Sequence, residues 1–262
     1  MTGRSKGKVY LTGAGPGDPG LLTLKARDLL AAADCVIYDY LVNPEILRHA
    51  PSRSELIYVG KRGTEISWTQ AEINRLLIEK AREHRFIVRL KGGDPFIFGR
   101  GGEEAEALTG AGIEWEVVPG VSAGAAVAAY AGIPVTHRGL SSSVAFITGH
   151  EDPAKTQSAI HWEHLATGVD TLVFFMGVGR IREITESLMQ HGRTAQTPVA
   201  VIRWGTYENQ EVYTSDLANV AALIERERVR APAIIVVGEV VRLRERLQWF
   251  TPQLIEAAAN AA

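Results

Sequence analysis

The sequence predicts an α/β protein of two α/β domains, the first around a mostly parallel sheet and the second around a mixed one. Three observations carry this. Short apolar runs of strand length alternate with segments of helical periodicity through the first half, the pattern of right-handed crossovers between parallel strands. A second alternating set begins after Pro119-Gly120, the expected junction between a domain over 1–119 and another over 120–262. Glycine-rich loops close several predicted strands, and they carry charges of both signs. A chain of 262 residues accommodates one large or two ordinary domains.

The elements follow in order. A strand at 9–12 ends in the loop Gly13-Ala14-Gly15-Pro16-Gly17-Asp18-Pro19-Gly20, and a helix at 21–33 places Leu22, Ala26, Leu29 and Leu30 on one face. A strand at 35–38 ends at Asp39, Asn43-Pro44 starts a short helix, and a strand at 56–59 ends in Gly60-Lys61-Arg62-Gly63. Thr69 with Glu72 three residues on forms a capping box for a helix at 70–84. The strand at 86–90 opens into the glycine loop, a helix at 103–108 is closed by Gly110, and 113–118 alternates as a half-exposed edge strand. Small residues over 121–131 suit a closely packed helix. In the second half, strands are expected at 144–148, 171–176, 198–203 and 233–238 and helices near 180–191 and 216–227. Residues 210–214 alternate after a Gly-Thr-Tyr-Glu turn and complete an antiparallel hairpin.

Ligands of parallel α/β sheets bind beyond the carboxyl ends of the strands. Here those ends are the loops at 13–20, at Asp39, at 60–63, at 89–102 and at 119–122, where the unusual residues gather. The richest is Arg89 to Glu104, RLKGGDPFIFGRGGEE, with five glycines in sixteen residues. Glycine lets a backbone bend sharply and approach a ligand closely, while Arg89, Lys91, Asp94 and Arg100 add charge that a plain turn does not need.

Composition excludes several classes. Lys plus Arg is 28 against 30 Asp plus Glu, so no global basic field invites a nucleic acid. No stretch of about 18 apolar residues marks a membrane span, and the polar start MTGRSKGK has no signal-peptide core, so the protein reads as cytosolic. The single Cys35 excludes an internal disulfide, and its apolar neighbours favour an inert thiol. The first loop is an imperfect dinucleotide fingerprint, with Asp18 in the third glycine's place. His161 and His164, three apart, read as solvated helix histidines rather than metal ligands, and no metal is expected. Neither the Ser141-Ser142-Ser143 run nor Cys35 makes a convincing nucleophile.

The strings GAGPGDPGLLTLKA at 13–26, YDYLV at 38–42, VGKR at 59–62, RLKGGDPFIFGRGGEE at 89–104 and AGIPVTHR at 131–138 resemble those of the tetrapyrrole methylase family. The similarity continues through FFMG at 174–177, WGT at 204–206 and PAIIVVGEVV at 232–241, and so spans nearly the whole chain. It implies two α/β domains with the active site in the cleft between them, usually in a homodimer. It further implies transfer of methyl groups from S-adenosyl-L-methionine, leaving S-adenosyl-L-homocysteine, to two carbons of uroporphyrinogen III. The product would be precorrin-2, on the way to sirohaem or cobalamin, left for another protein to finish.

By this resemblance the cofactor contacts fall on Pro16, Gly92, Gly93, Asp94, Ile97, Ser122, Ala123, Met176, Gly205 and Ala233, with Asp39 as proton acceptor and Lys61 as proton donor. Ser122 stands where the family often has threonine and keeps the hydroxyl. The substrate has eight carboxylates, for which charge and position nominate Arg89, Lys91, Arg100, Arg62 and Arg138. Each residue also has a plainer reading. Asp39 could cap the turn that follows it, Lys61 could be a solvated lysine, Met176 could be packing, and Arg62 and Arg138 could pair with surface carboxylates.

Overall fold

Three apolar runs of the first half form the central strands because they are covered on both faces: Val9, Leu11, Val36, Ile37, Ile87 and Val88 are all buried. The computed structural model describes residues 7–60, 68–150 and 159–251, and the chain divides into two compact units, Met1–Ser122 and Ala123–Ala262. In the first unit the strands are β1 (Lys8–Gly13), β2 (Cys35–Tyr38), β3 (Glu55–Tyr58), β4 (Phe86–Lys91) and β5 (Glu114–Val118). Their spatial order is β3-β2-β4-β1-β5, and every pair is parallel.

Alternation along the strands sorts the core into two layers. Ile87, Leu11 and Ile37 pack beneath α2 (Gln70–Glu83) and α3 (Gly101–Gly110), with Leu77 and Leu108. Val88, Leu90 and Val36 face the other way, toward Leu30 of α1 (Leu24–Ala32) and Ile46 of the 3-10 turn Pro44–His49. After β2 the chain therefore passes to one face and after its neighbour β4 to the other. Such divergence of neighbouring strands is where a parallel sheet places a ligand crevice, and Asp39 and the glycine loop stand at those two strand ends.

Local chemistry sets the element ends. The capping box forms as expected: the Glu72 amide donates to Thr69 Oγ1 at 3.3 Å, and the Thr69 amide donates to Glu72 Oε2 at 2.7 Å. Two expected boundaries shift. The first helix starts at Leu24 rather than 21, because Thr23 caps it by accepting from the Ala26 amide at 3.2 Å. The third runs through Gly110 to a cap at Ala111, and Gly112, at a φ of 63°, makes the reversal. β5 lies at the sheet edge, where Glu114 and Glu116 pair with Lys8 at 3.1 and 2.9 Å.

In the second unit β6 (Val144–Thr148), β7 (Thr171–Phe175), β8 (Pro198–Arg203), β9 (Glu211–Asp216) and β10 (Ala233–Val237) take the order β6-β7-β10-β8-β9. Only β6 and β7 are parallel, so the sheet is mixed, and β8 with β9 is the expected antiparallel hairpin. One face packs on α5 (Trp162–Gly168), α6 (Ile181–Gln190) and α7 (Val220–Arg226). The other packs on α4 (Ala123–Tyr130), with Val240 and Val241. The helix expected from 216 begins only at Val220, because β9 continues to Asp216, whose carboxylate accepts from the Asn219 amide at 2.9 Å. Among the described residues no helix is long and apolar enough to cross a membrane.

Candidate active site

Asp39 follows β2 directly, and its carboxylate turns to β4 rather than to the turn after it. Oδ1 accepts from Arg89 Nη2 at 2.7 Å, and Oδ2 lies 3.7 Å from Lys91 Nζ. The cap of the next turn is Asn43, whose Oδ1 accepts from the Glu45 amide at 3.0 Å. A capping role thus falls to Asn43. The Asp39 side chain stays 28% exposed at the crevice.

Behind Asp39 the charges continue inward. Arg89 Nε and Lys91 Nζ both donate to Oε1 of Glu104, at 3.0 and 2.9 Å, and Gln70 Nε2 reaches the same oxygen at 3.4 Å. Glu104 is fully buried, and its second oxygen, Oε2, has no hydrogen-bond partner. Burial opposes the Arg89 charge, but Asp39 and Glu104 more than restore it, so the guanidinium is held above its ordinary value. Burial, then repulsion from Arg89, pulls the Lys91 ammonium below the usual lysine range against the pull of Glu104 and Asp39.

This corrects one expectation. Arg89 and Lys91, at 1% and 4% exposure, are not placed to meet a ligand's carboxylates. Their cationic groups are committed to Asp39 and Glu104, and desolvated charges persist only when paired in this way. Glu104 itself was not among the expected site residues. Its signal lay in the helix period, since Gly101, Glu104, Ala105 and Leu108 form the buried face of α3.

The glycine loop closes against the first loop. The Gly93 amide donates to the Gly15 carbonyl at 2.7 Å, and the Gly15 amide returns the bond at 3.2 Å. A Cβ on Gly120 would overlap the Gly93 carbonyl, so only glycine permits this approach. Asp94 ties the loops together, with Oδ1 accepting from the Phe96 amide at 2.8 Å and Oδ2 from the Gly120 amide at 3.1 Å. Pro16, Gly92, Gly93, Ile97 and Ser122 are half-buried around this knot, and Phe96 and Phe98 stand exposed beside it. Arg100 is exposed, sits at a φ of 58° before α3 and forks onto Glu103 at 2.8 and 2.7 Å.

In the second unit the four expected residues gather at one edge of the sheet. Met176 follows β7, Gly205 follows β8 after Trp204, and Ala233 starts β10, whose antiparallel register sets it against Arg203. Ala123 opens α4, and Gly205 lies so close to Val127 of that helix that an added Cβ would overlap its methyl groups. Met176 is 52% exposed, so packing does not account for it. Met176, Trp204 and Thr206 all adopt positive φ, at 57°, 47° and 72°. Left-handed non-glycine residues are costly and cluster where function over-determines the backbone.

The other expected residues lie apart. Arg138 is exposed in the loop that His137 and Ser141 bridge, and Lys61 and Arg62 lie outside the described residues. His161 and His164 are exposed on either side of Glu163. Cys35 is buried, which pushes its thiol up to about 12. It lies near Glu55 and His84, but Lys80 donates to both Glu55 oxygens at 2.9 and 3.0 Å, so the ammonium already occupies the ligand face of that carboxylate.

A crevice at diverging parallel strands, an aspartate held by buried cations and loops knotted through glycine define an α/β enzyme with its chemistry at the strand ends. The family model of Tetrapyrrole (Corrin/Porphyrin) Methylases matches residues 8–221, and the chain belongs to that family. It is 55% identical over 241 residues to an S-adenosyl-L-methionine-dependent uroporphyrinogen III methyltransferase of Methanosarcina barkeri, covering 92% of this chain and 94% of that one. A uroporphyrinogen-III C-methyltransferase of Priestia megaterium is 50% identical, covering 90% and 98%. The crystal structure of a uroporphyrin-III C-methyl transferase from Thermus thermophilus complexed with S-adenyl homocysteine superposes with a TM-score of 0.78 at 43% identity, covering 90% and 94%.

Proposed function

We propose that this chain is an S-adenosyl-L-methionine-dependent methyltransferase that methylates two carbons of uroporphyrinogen III to give precorrin-2. The observation that carries the reading is near-full-length identity of 55% to a relative of that activity, joined to an aspartate poised at the strand-end crevice. Bound at the site, S-adenosyl-L-methionine would supply an activated methyl group on its sulfonium. The chain then needs no covalent nucleophile, and its tasks are alignment and proton removal.

The residues present fit that cofactor. Half-buried Gly92 offers backbone groups at the loop surface, the Gly93 carbonyl keeps a lone pair beyond the one it gives to the Gly15 amide, and Asp94 has lone pairs beyond those it gives to Phe96 and Gly120. Pro16, Ile97 and Ser122 add to this set, and from the second unit Ala123, Met176, Gly205 and Ala233. Asp39 takes the proton and Lys61 donates one. Arg100, Arg62 and Arg138 orient the substrate's carboxylates, while Arg89 and Lys91 serve Asp39 instead. The enzyme acts in the cytoplasm as a homodimer, a reading that rests on family resemblance.

The test is methyl transfer from labelled S-adenosyl-L-methionine to uroporphyrinogen III. Two methyl groups per macrocycle support the reading. Turnover confined to a later corrin precursor would assign a sister reaction, and tight cofactor binding without turnover on either would make the chain a binding module.

A further inference from the structure

The buried cations behind Asp39 converge on one oxygen. Glu104 Oε1 receives Arg89 Nε and Lys91 Nζ, and those same two side chains reach the two different oxygens of Asp39. Arg89 also donates from Nη1 to the Ile37 and Leu90 carbonyls at 3.4 Å, which fixes the plane of its guanidinium between β2 and β4. Two cations and two carboxylates balance. Three of the four are buried, and only Asp39 reaches the crevice.

We propose that Glu104 is a positioning residue for the reaction: through Arg89 and Lys91 it fixes the orientation of the Asp39 carboxylate and sets the net charge that this carboxylate meets. The inference rests on the proposed role of Asp39 as proton acceptor. With Glu104 ionised, one of the two cations is neutralised from behind and Asp39 meets a single net positive charge. Without it, Asp39 meets two and is a poorer base. Without Lys91, it meets none and is a better base that is less firmly held.

Among the described residues the neighbouring charges do not blur this count. Arg89 and Lys91 face Asp39 from β4 and Glu104 from α3, with Arg100 and Glu103 paired to each other one step further out. Gln70 of α2 is neutral, and from β3 the Tyr58 ring packs on Tyr38 beside Asp39.

Two nearly isosteric substitutions therefore move the acid limb of the pH profile of kcat/KM in opposite directions. Glu104→Gln removes a negative charge and shifts the limb to lower pH by about one unit. Lys91→Met removes a positive charge and shifts it to higher pH by about one to three units. A network that served only folding would lower melting temperature and rate in both variants and leave the limb in place. The measurement is initial methylation rate on uroporphyrinogen III from pH 3 to 9, with S-adenosyl-L-homocysteine affinity and far-UV circular dichroism at each pH and on each variant.

Opposite shifts support the proposal, as does partial recovery of the wild-type profile in Glu104→Asp. Limbs that stay together or move in the same direction overturn it, and so does failure of all three variants to fold. The unmodified chain is the control that separates the two ideas. If it fails to methylate the substrate, the functional reading falls; if it turns over while the variants' limbs coincide, only the role of Glu104 falls.

Discussion

Replacing Asp94 by asparagine separates a cofactor ligand from a loop clasp. In the structure both carboxylate oxygens accept backbone bonds, from the Phe96 amide at 2.8 Å and the Gly120 amide at 3.1 Å. An asparagine offers one acceptor and one donor at these positions, so whichever way its amide is turned, an N–H confronts an N–H. Leaving a mostly buried backbone donor unpaired costs about 1–3 kcal/mol. For a domain somewhat above 100 residues this lowers the melting temperature by on the order of 5–10 °C. Because the Gly120 side of the clasp touches Gly93, S-adenosyl-L-homocysteine affinity falls as well, by about tenfold for each 1.4 kcal/mol that reaches the site. Thermal unfolding followed by circular dichroism and calorimetric titration of S-adenosyl-L-homocysteine give both numbers on one preparation. A variant that melts like the wild type while losing affinity would refute the clasp and leave Asp94 as a ligand group alone.

Three further outcomes follow from the same geometry. Asp39→Asn keeps the shape that Arg89 binds and removes the proposed base, so turnover should fall by about 10²–10⁴ with cofactor affinity nearly unchanged; unaltered turnover would leave Asp39 only as a partner for Arg89. Arg100→Ala should raise the substrate KM by about tenfold without weakening S-adenosyl-L-homocysteine binding, and loss of that binding would show that Arg100 supports the loop. Lys80 first, and His84 after it, hold the Glu55 carboxyl below the usual carboxylate range against burial. A depressed folded value gives stability that is present above about pH 4.3 and is lost as pH falls through the folded value. The difference in stability between the wild type and Glu55→Gln should therefore shrink on acidification, and a constant difference would contradict the pairing.

Much of the fold is legible because local signals and burial agree. The capping box at Thr69 and Glu72, the edge alternation of β5 and the hairpin of β8 and β9 each have a short-range cause that tertiary packing does not override. Helix ends are less legible. Thr23 and Asn219 begin helices later than the apolar pattern suggests, since the cap and the preceding turn decide the start, and one-face periodicity reads through both. In the second unit, Met176, Gly205 and Ala233 are far apart in the chain and meet at one sheet edge only because β10 runs antiparallel to β7 and β8. Strand direction is a long-range property. No window of sequence carries it, so only the family resemblance groups these residues in the sequence.

In the stretch Arg89 to Glu104 the structure pairs internally two cations that the sequence assigns to a ligand. Charges near a strand's carboxyl end suggested a surface that meets a ligand. The period of two says otherwise: Ile87, Arg89 and Lys91 share one face of β4, and Ile87 lies in the core beneath α2 and α3. On that face a cation must find a buried anion or lose its charge. The period of α3 supplies one, since Glu104 falls in register with Ala105 and Leu108 on the helix's inner side. Taken together the two periods place Arg89, Lys91 and Glu104 in the same layer before any coordinate is known. What neither period contains is that β2 lies next to β4, and it is this adjacency that brings Asp39 to the outer end of the cluster and gives the buried charges an outlet at the crevice.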